Sequence, residues 1–189
     1  MTTPIWIHQA QRLKPFDGQL IPVKRSGHRI EGSVRNHNFT VEDVLAEPDL
    51  RAIELRTSLE LMAVDLDSLE AIDYFETKSG LILEDCKSWV VQRDNQDSRM
   101  KMIYKRTLEQ QKLGEFYIND SKNELEVFSI STKAITVLGH HRESGIYRWY
   151  GTGPEKLIYC PPKIWNFVVQ IKQELERKKA TKAKKSSSR

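Results

Sequence analysis

Leu61-Met62-Ala63-Val64-Asp65-Leu66-Asp67-Ser68 is the stretch whose reading decides the fold. It is an apolar run that closes on two acids, the pattern of a buried β-strand carrying carboxylates near its end. Side chains alternate along a strand, so Asp65 and Asp67 point to one face and Leu66 to the other. Burying two acids is costly unless a cation or a hydrogen-bond donor meets them. Hard divalent ions such as Mg²⁺ are commonly held by one or two carboxylates together with substrate phosphates. The alternative for a lone Asp-x-Asp is a pair of solvated turn acids.

Outward from this strand, Ser68–Thr77 has Leu69, Ile72 and Phe75 at helical spacing, with Ser68 as N-cap and Ser79-Gly80 as the stop. Upstream, Arg51–Arg56 reads as a strand. Thr40 opens a short helix through Glu47 with the Thr-Val-Glu-Asp signature of a capping box, and Pro48 ends it. Residues 1–35, punctuated by Pro and Gly, read as an irregular arm with one strand at Leu20–Lys24. Downstream, the pattern predicts strands at Trp89–Val91, Met100–Tyr104, Glu124–Ile130, Ala134–Leu138 and Tyr147–Tyr150. A polar loop is expected at Gln92–Asp97, a short helix at Thr107–Leu113, and a last helix over 161–180 with an apolar stripe through Ile164, Phe167, Val168, Ile171 and Leu175.

A chain of 189 residues can bury one sizeable core. The expected organisation is one catalytic domain over 1–176 and a disordered basic tail over 177–189. The net charge is +4, but residues 177–189 hold seven Lys and Arg and no acid. Without them 23 basic residues face 26 acidic ones, a balance of −3, so any nucleic-acid groove in the folded part is a local patch. No apolar run is long enough to span a bilayer, and the N-terminus lacks a basic-then-apolar leader, so the expectation is a cytoplasmic protein with no membrane partner. Cys86 and Cys160 stand far apart, too few and too distant for a zinc ribbon.

Three further groups carry chemistry. Glu126, with Glu124 two residues before it, offers a third acid if its strand neighbours that of Asp65 and Asp67; otherwise both are the exposed side of an edge strand. Two metal ions about 4 Å apart in such a cluster would activate a 3′-hydroxyl and clamp a triphosphate. Arg99 and Lys101, two apart after the polar loop, suit phosphate, Arg as a fork and Lys as a point charge, or else form an ordinary basic face. In the run Val137–Trp149, His140 and His141 could hold a metal, meet phosphate or bridge turns. Tyr147 and Trp149 offer either a surface for base stacking or the core of a hairpin.

Taken in order, these pieces resemble the catalytic domain of the bifunctional DNA primase/polymerases of the archaeo-eukaryotic primase superfamily. The similarity runs through Ile21–Arg25, Ala52–Thr57, Ala63–Asp67, Ser98–Tyr104 and Leu125–Val127 to the Val-Leu-Gly-x-His-x-x-Ser-Gly-x-Tyr-x-Trp run ending at Trp149. It implies a primase-type α/β (α+β) fold, a mixed sheet with a carboxylate cluster on one face flanked by helices. Asp65 and Asp67 match the first motif and Glu126 the third, and together they would bind two Mg²⁺ or Mn²⁺ ions. The second motif has a small residue, any residue, then a phosphate-binding His. Here Ser98-Arg99-Met100-Lys101 departs from it, with Lys101 at or beside the His position. His141 matches the Gly-x-His of the last run and would line the nucleotide or template side.

The resemblance implies template-directed nucleotidyl transfer on single-stranded DNA, from nucleoside triphosphates, in plasmid or phage replication. Relatives often continue into a helicase domain, so a separate helicase is an expected partner, unless the chain is an excised domain. A replication-initiator or nucleic-acid-binding protein on the same fold is the alternative. A metal-dependent nuclease would use the same acids without a triphosphate.

Overall fold

The computed structural model describes residues 5–26, 34–36, 38–86 and 88–186. Nine strands form one sheet: β1 Leu20–Lys24, β2 Leu50–Arg56, β3 Leu61–Leu66, β4 Trp89–Arg93, β5 Gln96–Lys105, β6 Phe116–Asp120, β7 Leu125–Ser129, β8 Ala134–His140 and β9 Ile146–Gly151. Their order across the sheet is β1-β2-β8-β9-β4-β5-β3-β7-β6. Every pairing between these strands is antiparallel, so the expected mixed sheet is corrected to an antiparallel one in an α+β protein. The helices follow or precede strands without making parallel crossovers. They are α1 Ile5–Ala10, α2 Val41–Leu45, α3 Leu69–Ser79, α4 Leu108–Gln111 and α5 Pro162–Ser186.

The local signals act as read. Thr40 accepts from Asp43 N–H while Asp43 accepts from Thr40 N–H, a complete capping box. Ser68 Oγ accepts from Ala71 N–H at 3.1 Å, and Gly80 closes α3 in the left-handed region at φ 63. Strand β3 is buried along its whole length and lies between β5 and β7. Its alternation feeds two cores. Leu61 and Ala63 pack on one face with Ile103 and Phe128, beneath Trp6, Leu13, Phe16 and Val44 from the N-terminal elements. Met62, Val64 and Leu66 pack on the other with Phe75 of α3 and Ile164, Phe167 and Ile171 of α5.

Four departures from the sequence expectations have physical causes. The supposed irregular arm folds as α1 and a 3-10 turn, Gln11–Phe16, because Trp6, Ala10, Leu13 and Phe16 together cover the first core; residues 1–4 and 27–33 of that arm lie outside the described residues. The polar stretch Gln92–Asp97 is a hairpin, with only Asp94 and Asn95 in the turn. Phe116–Asp120 is a strand that carries its partners' pattern, with Phe116, Ile118 and Asp120 buried. The basic segment expected to be disordered continues α5 to Ser186, as its Ala, Lys and Arg residues favour, while residues 187–189 lie outside the described residues.

One buried cation ties the far end of the sheet together. Arg106 is 1% exposed. Its guanidinium donates to Gly114 O at 2.9 Å, to Ser129 Oγ at 2.9 Å and to Gln110 O, and lies 5.2 and 5.1 Å from the rings of Phe116 and Trp165. It therefore satisfies the carbonyls at the end of α4 while packing between β6 and α5. Arg106→Met would keep the length but remove the donor from two buried acceptors, Ser129 Oγ and Gln110 O, and from the half-buried Gly114 O, so urea denaturation should show a loss of about 3 kcal/mol.

Candidate metal centre and its cationic cleft

The site lies on the face of the sheet that carries Leu61 and Ala63, one strand repeat further along. In register across the sheet stand Asn119 on β6, Glu126 on β7, Asp65 on β3 and Lys101 on β5. On this face the N-terminal elements cover the apolar residues, and the acids begin where that cover ends. Asp65 is 6% exposed, and Asp67 and Glu126 are half-buried. One carboxylate oxygen from each of the three lies within 4.8 Å of the others, so Asp65, Asp67 and Glu126 could hold a metal ion together. The structure thus separates the two possible third acids. Glu124 is exposed in the turn before β7, at φ 48, and acts through its backbone: its carbonyl accepts Asp67 N–H at 3.0 Å, which holds the end of β3 against β7.

Each acid is held differently. Lys101 Nζ meets Asp65 Oδ2 at 3.0 Å. Glu126 Oε1 accepts from Tyr117 Oη and from Asn119 Nδ2, the latter at 3.0 Å. Asp65 Oδ1 is buried and has no hydrogen-bond partner among the described residues. Burial pushes the Asp65 carboxyl up to about 6, with Lys101 pulling it back down and Asp67 and Glu126 adding to the rise. Burial lowers Lys101, but Asp65, with Tyr147 and Asp67 adding to it, more than offsets this, and its ammonium ends above the usual range. At neutral pH the two form an ion pair with one carboxylate oxygen left over. A buried oxygen without a donor, beside two more carboxylates, fits a hard divalent cation, for which all-oxygen ligands are the usual set.

Beside the acids is a cleft of about 150 Å³, lined by Asp67, Arg93, Arg99, Lys101, His141 and Tyr147 among others. Arg99 reaches it because the β4–β5 register jumps from Gln92↔Met100 to Arg93↔Gln96, so Asp97, Ser98 and Arg99 have no β4 partner. Arg99 is exposed, whereas Ser98, half-buried, is not among the lining residues. Arg93 was hidden in the expected polar loop. It continues the alternation Trp89, Val91, Arg93 on one face and is 5% exposed. Its guanidinium donates to Gln96 Oε1 and, at 3.0 Å, to His141 Nδ1.

The paired histidines separate. Gly139, at φ 97, lets β8 pass so close to β2 that a Cβ would lie 2.5 Å from Arg51 O. Beyond it His140 packs edge-on against Trp6, with centroids 6.2 Å apart, and only His141 lines the cleft. Tyr147 and Trp149 belong to the first core rather than to an open stacking surface. Tyr147 is 8% exposed, and Trp149 packs edge-on against Trp89 with its indole N–H donated to Val137 O. Tyr117 and Asn119, which orient Glu126, sit on a strand absent from the sequence reading. Their spacing of two residues within Phe-Tyr-Ile-Asn-Asp is the signal that was there to find.

The sequence matches no protein-family model, and no curated protein is similar enough to count as a relative. Among the described residues no helix is long and apolar enough to cross a membrane.

His141 Nδ1 faces a guanidinium at 3.0 Å and the Glu143 N–H at 3.2 Å, both donors. The ring therefore carries its proton on Nε2. Burial, then the Arg93 charge, lower its pKa below the usual value. Nitrogen-15 NMR should show a neutral Nε2–H imidazole at pH 7 that titrates below 6.5. Arg93→Ala should move that titration upward, because a positive neighbour is removed.

Proposed function

We propose that this chain is a metal-dependent nucleotidyltransferase of the primase/polymerase type, joining the 3′-hydroxyl of a strand end to the α-phosphorus of a nucleoside triphosphate with release of pyrophosphate. The observation that carries this reading is the meeting of Asp65, Asp67 and Glu126 beside a cleft lined by Arg93, Arg99 and Lys101. Acids alone would suit a cation, and cations alone an anion. The two together suit a substrate that brings a polyphosphate to a metal.

A bound Mg²⁺ or Mn²⁺, held by Asp65, Asp67 and Glu126, would supply Lewis-acid stabilisation at the phosphoryl group and ease ionisation of the attacking hydroxyl. The remaining roles fall to the chain itself. Arg93 is a fixed positive charge, braced by Gln96 and His141. Arg99, exposed at the rim, can fork onto phosphate oxygens. Lys101 borders both the acids and the cleft. His141, neutral, has Nε2–H left to donate. Tyr117 and Asn119 keep Glu126 aimed. Single-stranded DNA would serve as template, and the exposed Arg177, Lys178 and Lys179 of α5 would add salt-sensitive affinity for its phosphates.

The Lys101–Asp65 ion pair favours a second reading, a replication-initiator or nucleic-acid-binding protein on this scaffold whose buried acid, Asp65, is neutralised internally. The assay that separates them measures product on single-stranded DNA, with and without an annealed primer, using nucleotides and Mg²⁺ or Mn²⁺. Under the enzyme reading, wild type makes product and Asp65→Ala/Asp67→Ala loses it by several powers of ten. If both proteins bind DNA equally and neither makes product, the binding reading replaces it. For the helix, neutralising Arg177, Lys178 and Lys179 with Gln should flatten the slope of log affinity for single-stranded DNA against log salt by about 2.

A further inference from the structure

The acids of this site already have a cation. Lys101 reaches Asp65 from β5, in register on the side opposite Glu126, and its ammonium stands 3.0 Å from Oδ2 with the side chain 16% exposed. The same nitrogen is 5.7 Å from the centroid of the Tyr147 ring, which also lines the cleft of Arg93 and Arg99. The cluster holds three carboxylates, and without Lys101 all three charges would stand uncompensated around a buried Asp65.

We propose that Lys101 is an internal counter-ion that competes with the divalent cation for Asp65, so that the lysine sets the metal affinity of the site. The inference rests on the metal-centre reading given above. A fixed positive charge at hydrogen-bond distance from a ligand oxygen repels an entering cation and occupies one of the lone pairs it would use. The same charge keeps the metal-free protein folded by compensating a buried carboxylate. One residue thus stabilises the empty site and weakens the filled one. A phosphate-binding lysine without this second role would have no reason to be in contact with the acid.

The test uses Mn²⁺ alone, followed by the loss of the free-ion electron paramagnetic resonance signal, on the full chain and on Lys101→Gln, Lys101→Met and Asp65→Ala/Asp67→Ala. Gln keeps a donor for Asp65 without the charge, in case Met does not fold. Lys101→Gln is expected to bind Mn²⁺ about tenfold or more tighter than wild type. In thermal melts it should be less stable than wild type without metal and gain more from added Mn²⁺. Equal or weaker Mn²⁺ binding by both folded Lys101 variants would overturn the inference while leaving the metal centre intact. Mn²⁺ binding that is unchanged in Asp65→Ala/Asp67→Ala, or absent from wild type and both Lys101 variants alike, would overturn the metal centre and the inference with it.

Discussion

Two carboxylates, Asp65 and Glu126, stand directly opposite each other on adjacent strands of the sheet. Like charges in that position are destabilising, and here one of them is buried as well. The arrangement persists because everything around it is over-determined. Residues Met62, Val64 and Leu66 on the back of β3 are locked beneath α3 and α5, and Leu61 and Ala63 on the front are locked beneath the N-terminal elements. A one-residue slip of β3 would carry Asp65 into the second core and expose Val64 or Leu66, so the register is held by burial on both faces. The backbone bond from Asp67 to Glu124 O extends the same ladder past the end of the strand. The acids do not choose their positions; the apolar residues on either side choose for them.

This explains what could be read in the chain and what could not. The strand from Leu61 was legible because an unbroken apolar run ending in acids has few other meanings. The caps at Thr40 and Ser68 were legible because each is a local bond between near neighbours in sequence. Arg93 was not, since its polar neighbours Gln92, Asp94, Asn95 and Gln96 imitate a loop, and only the pairing with β9 and β5 shows it to be the third inward residue of β4. Tyr117 and Asn119 were missed for a related reason. Their strand lies at the sheet edge and is fixed by its ladder with β7 rather than by its own composition. The helical continuation of the basic segment rests on the helix propensity of its Ala, Lys and Arg, which a run of like charges masks.

The cleft is built from two kinds of positive charge. Arg93 is tied down, donating to the side-chain oxygen of Gln96 and the imidazole nitrogen of His141. Its charge faces the cleft and His141, whose pKa it lowers further after burial. Arg99, by contrast, owes its place to the three residues of β5 that have no β4 partner, and it stands at the exposed rim. A buried, immobile charge contributes a standing potential at little ordering cost when a ligand arrives. An exposed one gives up conformational freedom on binding but can follow the ligand's shape.

Lys101 belongs to neither kind, and the residue type matters there. A histidine in the same position would lose its charge near neutral pH and leave the carboxylates facing one another unpaired. A lysine held above its usual range stays charged across the whole physiological interval. The sheet therefore gains a permanent partner for Asp65, at the expense of a permanent competitor for whatever cation the three acids attract. Because β3 and β5 are paired along their full facing lengths, neither residue can move away without breaking the ladder. Only the flexible lysine side chain can yield, and the compromise between a stable empty site and a strongly binding one is thus confined to four methylene groups.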